Sequence, residues 1–186
     1  MTAAAVFLDR DGVLIECEVI DGLPHPAVQS EPQLLPRVDW ACDRLKQAGL
    51  LLICVTNQPD IARGTTPSAL VEAVNAALLR RLPLDAVMVC PHDDDDDCEC
   101  RKPRPGLLLQ AADRFGIELG DSVMVGDRWR DIEAGRRAGC GTVFVDRGYS
   151  EQPPASPDTI VASLADAVPY ILSAVAQGAP PGQGRT

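Results

Sequence analysis

Two hydrophobic periods alternate along this chain. Short, almost purely apolar runs occur at 3–8, 50–55, 84–90, 122–125 and 142–145. Runs of that length and apolarity predict strands covered on both faces, as in a buried parallel sheet. Between them the apolar residues fall at helical spacing. Val38, Ala41, Cys42, Leu45 and Ala48 predict a helix over 35–48, begun near Pro36 and stopped by Gly49. Further helices are predicted over 67–82 (with Thr65 or Thr66 as cap), 106–115, 129–138 and 163–176, and a short edge strand over 158–161. Strands alternating with helices imply βα units and a mostly parallel sheet, an α/β three-layer sandwich of Rossmann-like type. Positions 15–33 carry no period and contain Pro24, Pro26 and Pro32, which reads as a long loop near the end of the first strand. Residues 1–176 form one domain in this reading. Residues 177–186, rich in Gly and Pro, form a tail expected to be disordered. No connection is long enough for a separate cap domain.

Composition narrows the partners. The chain has 186 residues and a net charge of −10. That charge, and the lack of a basic or aromatic strip, argue against nucleic acid. No apolar run spans a membrane and no signal segment begins the chain, so the expectation is a cytoplasmic protein, monomeric by default.

Polar residues gather where the strands end, on one side of the sheet. Phe7-Leu8-Asp9-Arg10-Asp11-Gly12 closes the first strand. Alternation along a strand would turn Asp9 and Asp11 one way and Arg10 the other. Two adjacent carboxylates repel unless a cation or a shared proton sits between them. Taken alone, the stretch is also compatible with a solvated Asp-Gly turn. Thr56-Asn57-Gln58 follows the second apolar run, Lys102 lies after the third, and Gly126-Asp127 follows the fourth, with Asp131 one turn on. Singly, these could be caps, turns or a solvated lysine. Together they suit phosphoryl transfer. Asp9 would attack phosphorus, and Asp11 would protonate the leaving oxygen and then activate water. Thr56 would offer a hydroxyl and an N–H to the phosphate. Lys102 would supply positive charge, and Asp9 with Asp127 would hold Mg²⁺. Asp131 would orient Lys102 or a metal-bound water.

The seven cysteines divide in two. Cys17, Cys42, Cys54 and Cys140 are scattered and read as small buried residues or free thiols. Cys90, His92, Cys98 and Cys100 cluster and offer an S₃N set that suits a closed, structural Zn²⁺ site. A disulfide within the cluster is the alternative. Metal there would pin a loop ending in Arg101-Lys102. Positions 93–97, all Asp, read as a solvated loop tip.

The four strand-end groups resemble motifs I to IV of the haloacid dehalogenase (HAD) superfamily of phosphatases, across nearly the whole chain up to the tail. The cluster from Cys90 to Pro103 resembles the zinc-binding loop of the heptose-1,7-bisphosphate 7-phosphatases and the related histidinol-phosphate phosphatases. The resemblance implies an essentially capless HAD fold, with Mg²⁺ held by Asp9, Asp127 and the backbone carbonyl of Asp11. It implies a Mg²⁺-dependent phosphomonoester hydrolase acting through an aspartyl-phosphate on Asp9, on a small sugar phosphate. D-glycero-D-manno-heptose 1,7-bisphosphate is the first substrate it suggests, histidinol phosphate the alternative. Thr56, Asn57, Gln58, Arg63, Arg101 and Lys102 are the substrate-binding candidates, and Arg104 and Arg128 are further basic candidates. Two nearby arginines, Arg63 and Arg101, would suit a bisphosphate better than histidinol phosphate, whose far end is cationic. A polynucleotide-end phosphatase and an inactive zinc-stabilised binding module are the readings from other classes. The chain departs from its relatives at Ile15-Glu16, at Pro59-Asp60 and in the short, all-Asp stretch between His92 and Cys98.

Overall fold

The computed structural model describes residues 3–26 and 29–176; the expected tail lies outside them. The elements follow in chain order as β1 (Ala5–Leu8), β2 (Glu18–Ile20), β3 (Leu23–His25), α1 (Val38–Gln47), β4 (Leu51–Asn57), α2 (Ser68–Arg81) and β5 (Ala86–Cys90). They continue as α3 (Gly106–Phe115), β6 (Val123–Gly126), α4 (Trp129–Ala138), β7 (Gly141–Val145), β8 (Thr159–Val161) and α5 (Leu164–Ala176). Six strands form one sheet in the order β5-β4-β1-β6-β7-β8, and every pairing in it is parallel.

Period-two alternation splits the core between the two faces. From β1, Val6 and Leu8 pack with Val38 and Leu45 of α1, Leu78 of α2 and Ile171 of α5. Ala5 and Phe7 point the other way, against Leu107 and Leu108 of α3 and Ala134 of α4. The result is the three-layer α/β sandwich that the apolar runs predict. No described helix is long and apolar enough to cross a membrane.

Strand order reverses direction at β1, with β4 on one side and β6 on the other. Open α/β sheets bind ligands beyond the carboxyl ends of their strands at such a point. Asp9 follows β1 and Asp127 follows β6.

Several local expectations change. The span 15–33 is not only loop. It holds the antiparallel hairpin β2–β3, turned by Asp21-Gly22, both at positive φ (52° and 78°). Asp-Gly is a strong two-residue hairpin signal, obscured here by strands of three residues and by Pro24. Neither Thr65 nor Thr66 caps α2. Both of their N–H groups donate to the Asp60 carbonyl, and Pro67 precedes the helix. β4 continues through Thr56 and Asn57, which are strand residues rather than a following turn.

Candidate active site

Lys102 is the hub of the site. Its ammonium is buried and touches Asp9 Oδ1 at 2.5 Å, Asp131 Oδ1 at 2.6 Å and the Val55 carbonyl at 2.8 Å. Burial alone would lower the lysine pKa, but the Asp131 and Asp9 carboxylates outweigh it and hold the ammonium above its ordinary value. Asn57 fixes the lysine backbone from β4. Its Nδ2 donates to the Lys102 carbonyl (3.0 Å), and its Oδ1 accepts from the Lys102 N–H (3.1 Å).

Asp9, Asp127 and Asp131 bring ligand oxygens within 4.8 Å of one another. Three carboxylates against one ammonium leave an excess of negative charge in a buried place. Burial pushes the Asp9 carboxyl up despite Lys102, and Asp131 and Asp11 push it further. Burial, followed by Asp9 and Asp131, likewise raises Asp127 well above the usual carboxylate range. Tyr149 donates to Asp127 Oδ2 at 2.8 Å, whereas Asp127 Oδ1 is buried with no hydrogen-bond partner among the described residues. A buried carboxylate oxygen left without a donor is costly. An oxygen-ligated divalent cation such as Mg²⁺ would satisfy it and offset the excess charge, so the residues present fit that ion.

Two glycines permit this crowding. Gly12 has a φ of +84°, and a Cβ there would collide with Asp127 Oδ2. A Cβ on Gly126 would collide with the Asp131 side chain. Asp131 in turn accepts the Arg128 N–H through Oδ2 (3.0 Å), so one residue both begins α4 and steadies Lys102.

The remaining strand-end residues lie around this centre. β1 stops at Leu8, so strand alternation does not govern the next residues. Instead of pointing away from Asp11, Arg10 is fully buried, donates to Asp11 Oδ2 at 3.0 Å and reaches Asn75 of α2 at 3.1 Å. Gln58 Nε2 donates to Asp11 Oδ2 (3.0 Å) and to Thr56 Oγ1 (2.9 Å). Gln58 is itself buried, and it braces Asp11 and Thr56. Thr56 and Asn57 line the cleft together with Asp9, Asp11 and Lys102.

The Cys/His loop begins where β5 ends. Cys90, His92, Cys98 and Cys100 place one ligand atom each within 4.8 Å of the others. Their sulfurs lie 3.1–3.6 Å apart and His92 Nδ1 lies 3.3 Å from Cys100 Sγ. A tetrahedral Zn²⁺ site with bonds of about 2.3 Å has ligand edges of roughly 3.7 Å, so the four donors sit close to that spacing. All seven cysteines are free thiols. Of the scattered four, Cys42, Cys54 and Cys140 are buried, and Cys17 lies 3.3 Å from the Tyr149 hydroxyl.

The acidic stretch is not a freely solvated tip. Asp93 pairs with Arg63 through two bonds (2.5 and 2.7 Å). Asp94 pairs with Arg101 (2.8 Å) and Arg130 (2.9 Å), and Asp97 pairs with Arg104. The Arg101 hydrogen bond, ahead of the charges of Arg101 and Arg130, lowers the Asp94 carboxyl to about 2. Arg128 is engaged by Glu151 (2.6 Å).

The sequence reading missed the Pro24-His25-Pro26 wall, which the hairpin brings over the cleft, and Arg130, which lines the same cleft. A signal existed for each: the Asp-Gly turn for the hairpin, and the first-turn position in α4, beside Asp131, for Arg130.

Comparison with known proteins places the chain in a family. The family model of HAD-hydrolase-like proteins matches residues 99–167. The D-glycero-beta-D-manno-heptose-1,7-bisphosphate 7-phosphatase of Yersinia pestis is 38% identical over 177 residues, covering 87% of this chain and 92% of that protein. The enzyme of the same name from Escherichia coli K12 is also 38% identical, covering 87% and 90%. A crystal structure of D,D-heptose 1.7-bisphosphate phosphatase from B. bronchiseptica, complexed with magnesium and phosphate, superposes with a TM-score of 0.78 at 30% identity, covering 91% of this chain and 98% of that one. At these identities, over nearly the full length of both partners, the chain belongs to the heptose-bisphosphate phosphatase family of HAD-like hydrolases.

Proposed function

We propose that this protein is a Mg²⁺-dependent phosphomonoester hydrolase that removes the 7-phosphate of D-glycero-D-manno-heptose 1,7-bisphosphate through an aspartyl-phosphate on Asp9. The observation that carries the reading is the buried Lys102 held between Asp9 and Asp131, beside the unpartnered oxygen of Asp127. Lys102 engages Asp9 Oδ1, which leaves Oδ2 as the attacking oxygen. Mg²⁺, held by Asp9 and Asp127 with the Asp11 backbone carbonyl, would mask the charge repulsion between a carboxylate and a phosphate dianion.

The rest is work for the chain's own groups. Asp9 Oδ2 forms a bond to phosphorus as the bond to the sugar oxygen breaks. Asp11, steadied by Gln58 and Arg10, gives that oxygen its proton. Asp11, now a carboxylate, takes a proton from the water that attacks the phosphoryl group, which frees inorganic phosphate and Asp9. The Lys102 ammonium stabilises the charge that develops. Thr56 faces the phosphate from the end of β4.

The Cys90, His92, Cys98 and Cys100 set would bind a structural Zn²⁺. Its role would be positional, since the loop runs directly into Arg101 and Lys102 and Arg101 Nη1 donates to the His92 carbonyl at 3.2 Å. Arg63, Arg101 and Arg130 line the far part of the cleft and suit a second anionic group. That feature favours the bisphosphate over histidinol phosphate.

The test is steady-state phosphate release with Mg²⁺, from the heptose bisphosphate and from L-histidinol phosphate, with Asp9→Asn as the blank. The reading expects kcat/KM for the bisphosphate to exceed that for histidinol phosphate by about a hundredfold, roughly 2.7 kcal/mol of transition-state discrimination. Preference for histidinol phosphate would overturn the substrate, and turnover by Asp9→Asn would overturn the nucleophile.

A further inference from the structure

The cleft has two ends. Asp9, Asp11 and Lys102 line one, and Arg63, Arg101 and Asp94 line the other. Both parts share Pro24, His25, Pro26, Asn57, Arg128 and Arg130, so they form one continuous groove. At the far end three arginines converge on two carboxylates from the all-Asp stretch.

These two carboxylates are held differently. Asp93 is built in. It binds Arg63 through two bonds, its Oδ1 accepts the Asp94 N–H at 2.8 Å, and its own N–H donates to Asp96 Oδ2 at 2.7 Å. The Asp94 carboxylate is held, among the described residues, by its ion pairs to Arg101 and Arg130, and its side chain is 53% exposed. Its partners are better fixed than it is. Arg101 is 12% exposed and anchored on the His92 carbonyl, and Arg130 lies over the Trp129 ring with 5.0 Å to the centroid. If Asp94 turned into solvent, the two guanidinium groups would remain in place, aimed into the groove.

We propose that Asp94 is an internal counter-anion, occupying the place on Arg101 and Arg130 that the substrate's second phosphate takes, and that it is displaced when a bisphosphate binds. The proposal rests on the sugar-bisphosphate reading above. A phosphate dianion carries more charge and more acceptor oxygens than a carboxylate and matches the guanidinium fork as well. A half-exposed ion pair is weakly held. The exchange therefore favours a phosphate, while neutral or cationic ends find the arginines already satisfied. Asp94 therefore competes with the second phosphate and sets the size of the bisphosphate preference, below what the bare arginines would give. It is a specificity-determining residue, with Arg130 as its previously unassigned partner.

The experiment measures kcat/KM for the heptose 1,7-bisphosphate and for the matching 7-monophosphate, in the native protein and in Asp94→Asn, Asp95→Asn and Arg130→Ala. Asp95 is exposed in the same stretch and pairs with no arginine among the described residues, so its variant removes the same charge without freeing a guanidinium. The expected result is a bisphosphate preference that rises roughly fivefold in Asp94→Asn, through KM, and falls roughly tenfold in Arg130→Ala. Asp95→Asn leaves the preference unchanged. A preference that falls in Asp94→Asn would show that the carboxylate is a brace for the arginines, and the proposal fails. An equal gain on both substrates, matched by Asp95→Asn, would reduce the effect to general charge and also overturn it. If the native protein turns over neither substrate above the Asp9→Asn blank, the proposed function fails and takes this inference with it. If the native protein is active and Asp94→Asn is indistinguishable from it, only the inference fails.

Discussion

The carboxylate centre and the Cys/His loop are both clusters of metal-ligating side chains, and they are built in opposite ways. Asp9 and Asp127 follow β1 and β6 and Asp131 lies in the first turn of α4, all three buried on a backbone fixed by the sheet and the helix. What a metal would change there is charge, because one lysine cannot balance three carboxylates. The Cys/His loop is the reverse. Between β5 and α3 its regular structure is one short 3₁₀ turn at Asp94–Asp96. What a metal would supply there is shape. The difference teaches that a ligand cluster on rigid elements and one on an irregular loop would ask different things of an ion, charge balance in the first and order in the second.

The largest effect should come from breaking the buried centre. A methyl group at position 12 meets the Asp127 carboxylate and asks an alanine to adopt a φ of +84°. Gly12→Ala should lower kcat/KM by about a hundredfold or more, since small displacements of reacting groups cost that much. Near-native activity in a folded Gly12→Ala protein would contradict the placement of Asp127 in the centre. Breaking the loop should cost less. Cys98→Ser should abolish zinc retention, measured by elemental analysis, and lower activity by roughly tenfold, the scale of losing an orienting shell. A metal-free variant with full activity would refute the positional role of the loop.

These two regions were also unequally legible from sequence. Asp9, Lys102, Asp127 and Asp131 were readable because apolar runs locate strand ends, and strand ends in parallel sheets share one side. The grouping of Cys90, His92, Cys98 and Cys100 was legible from their spacing together with the resemblance to a zinc-binding loop, and the structure brings the four side chains together. Arg10 was misplaced because alternation was carried past Leu8, where the strand stops. Positions 94–97 are exposed, as a solvated tip would be, but the stretch is also paired with four arginines: Arg63 before α2, Arg101 and Arg104 in its own loop, and Arg130 on α4. Pairings at sequence separations of 30 and 36 residues leave no local pattern to read. The hairpin was hidden by its brevity, although Asp21-Gly22 marks its turn.

The smallest predicted effect sharpens the contrast through pH. Asp9 and Asp127 are raised in the folded protein, mainly by burial, so the folded state holds protons that the unfolded chain releases. Stability of the magnesium-free protein should therefore fall as pH rises from the ordinary carboxylate range through the raised folded values, and then level off. Mg²⁺ binds the deprotonated form. Its stabilising effect on Tm should be larger at about pH 8 than at about pH 5.5, by a few degrees. A Mg²⁺ shift that is equal at both pH values would argue against a charge-overloaded centre.

The most direct test of the central claim is to trap the covalent intermediate. Native protein with Mg²⁺ and the heptose bisphosphate would be acid-quenched within one turnover, digested and mapped by mass spectrometry. The account predicts a phosphoryl group on the peptide containing Asp9, located on Asp9 and lost in Asp9→Asn. Single-turnover hydrolysis that proceeds with no phosphorylated peptide, or with the label on another residue, would contradict it.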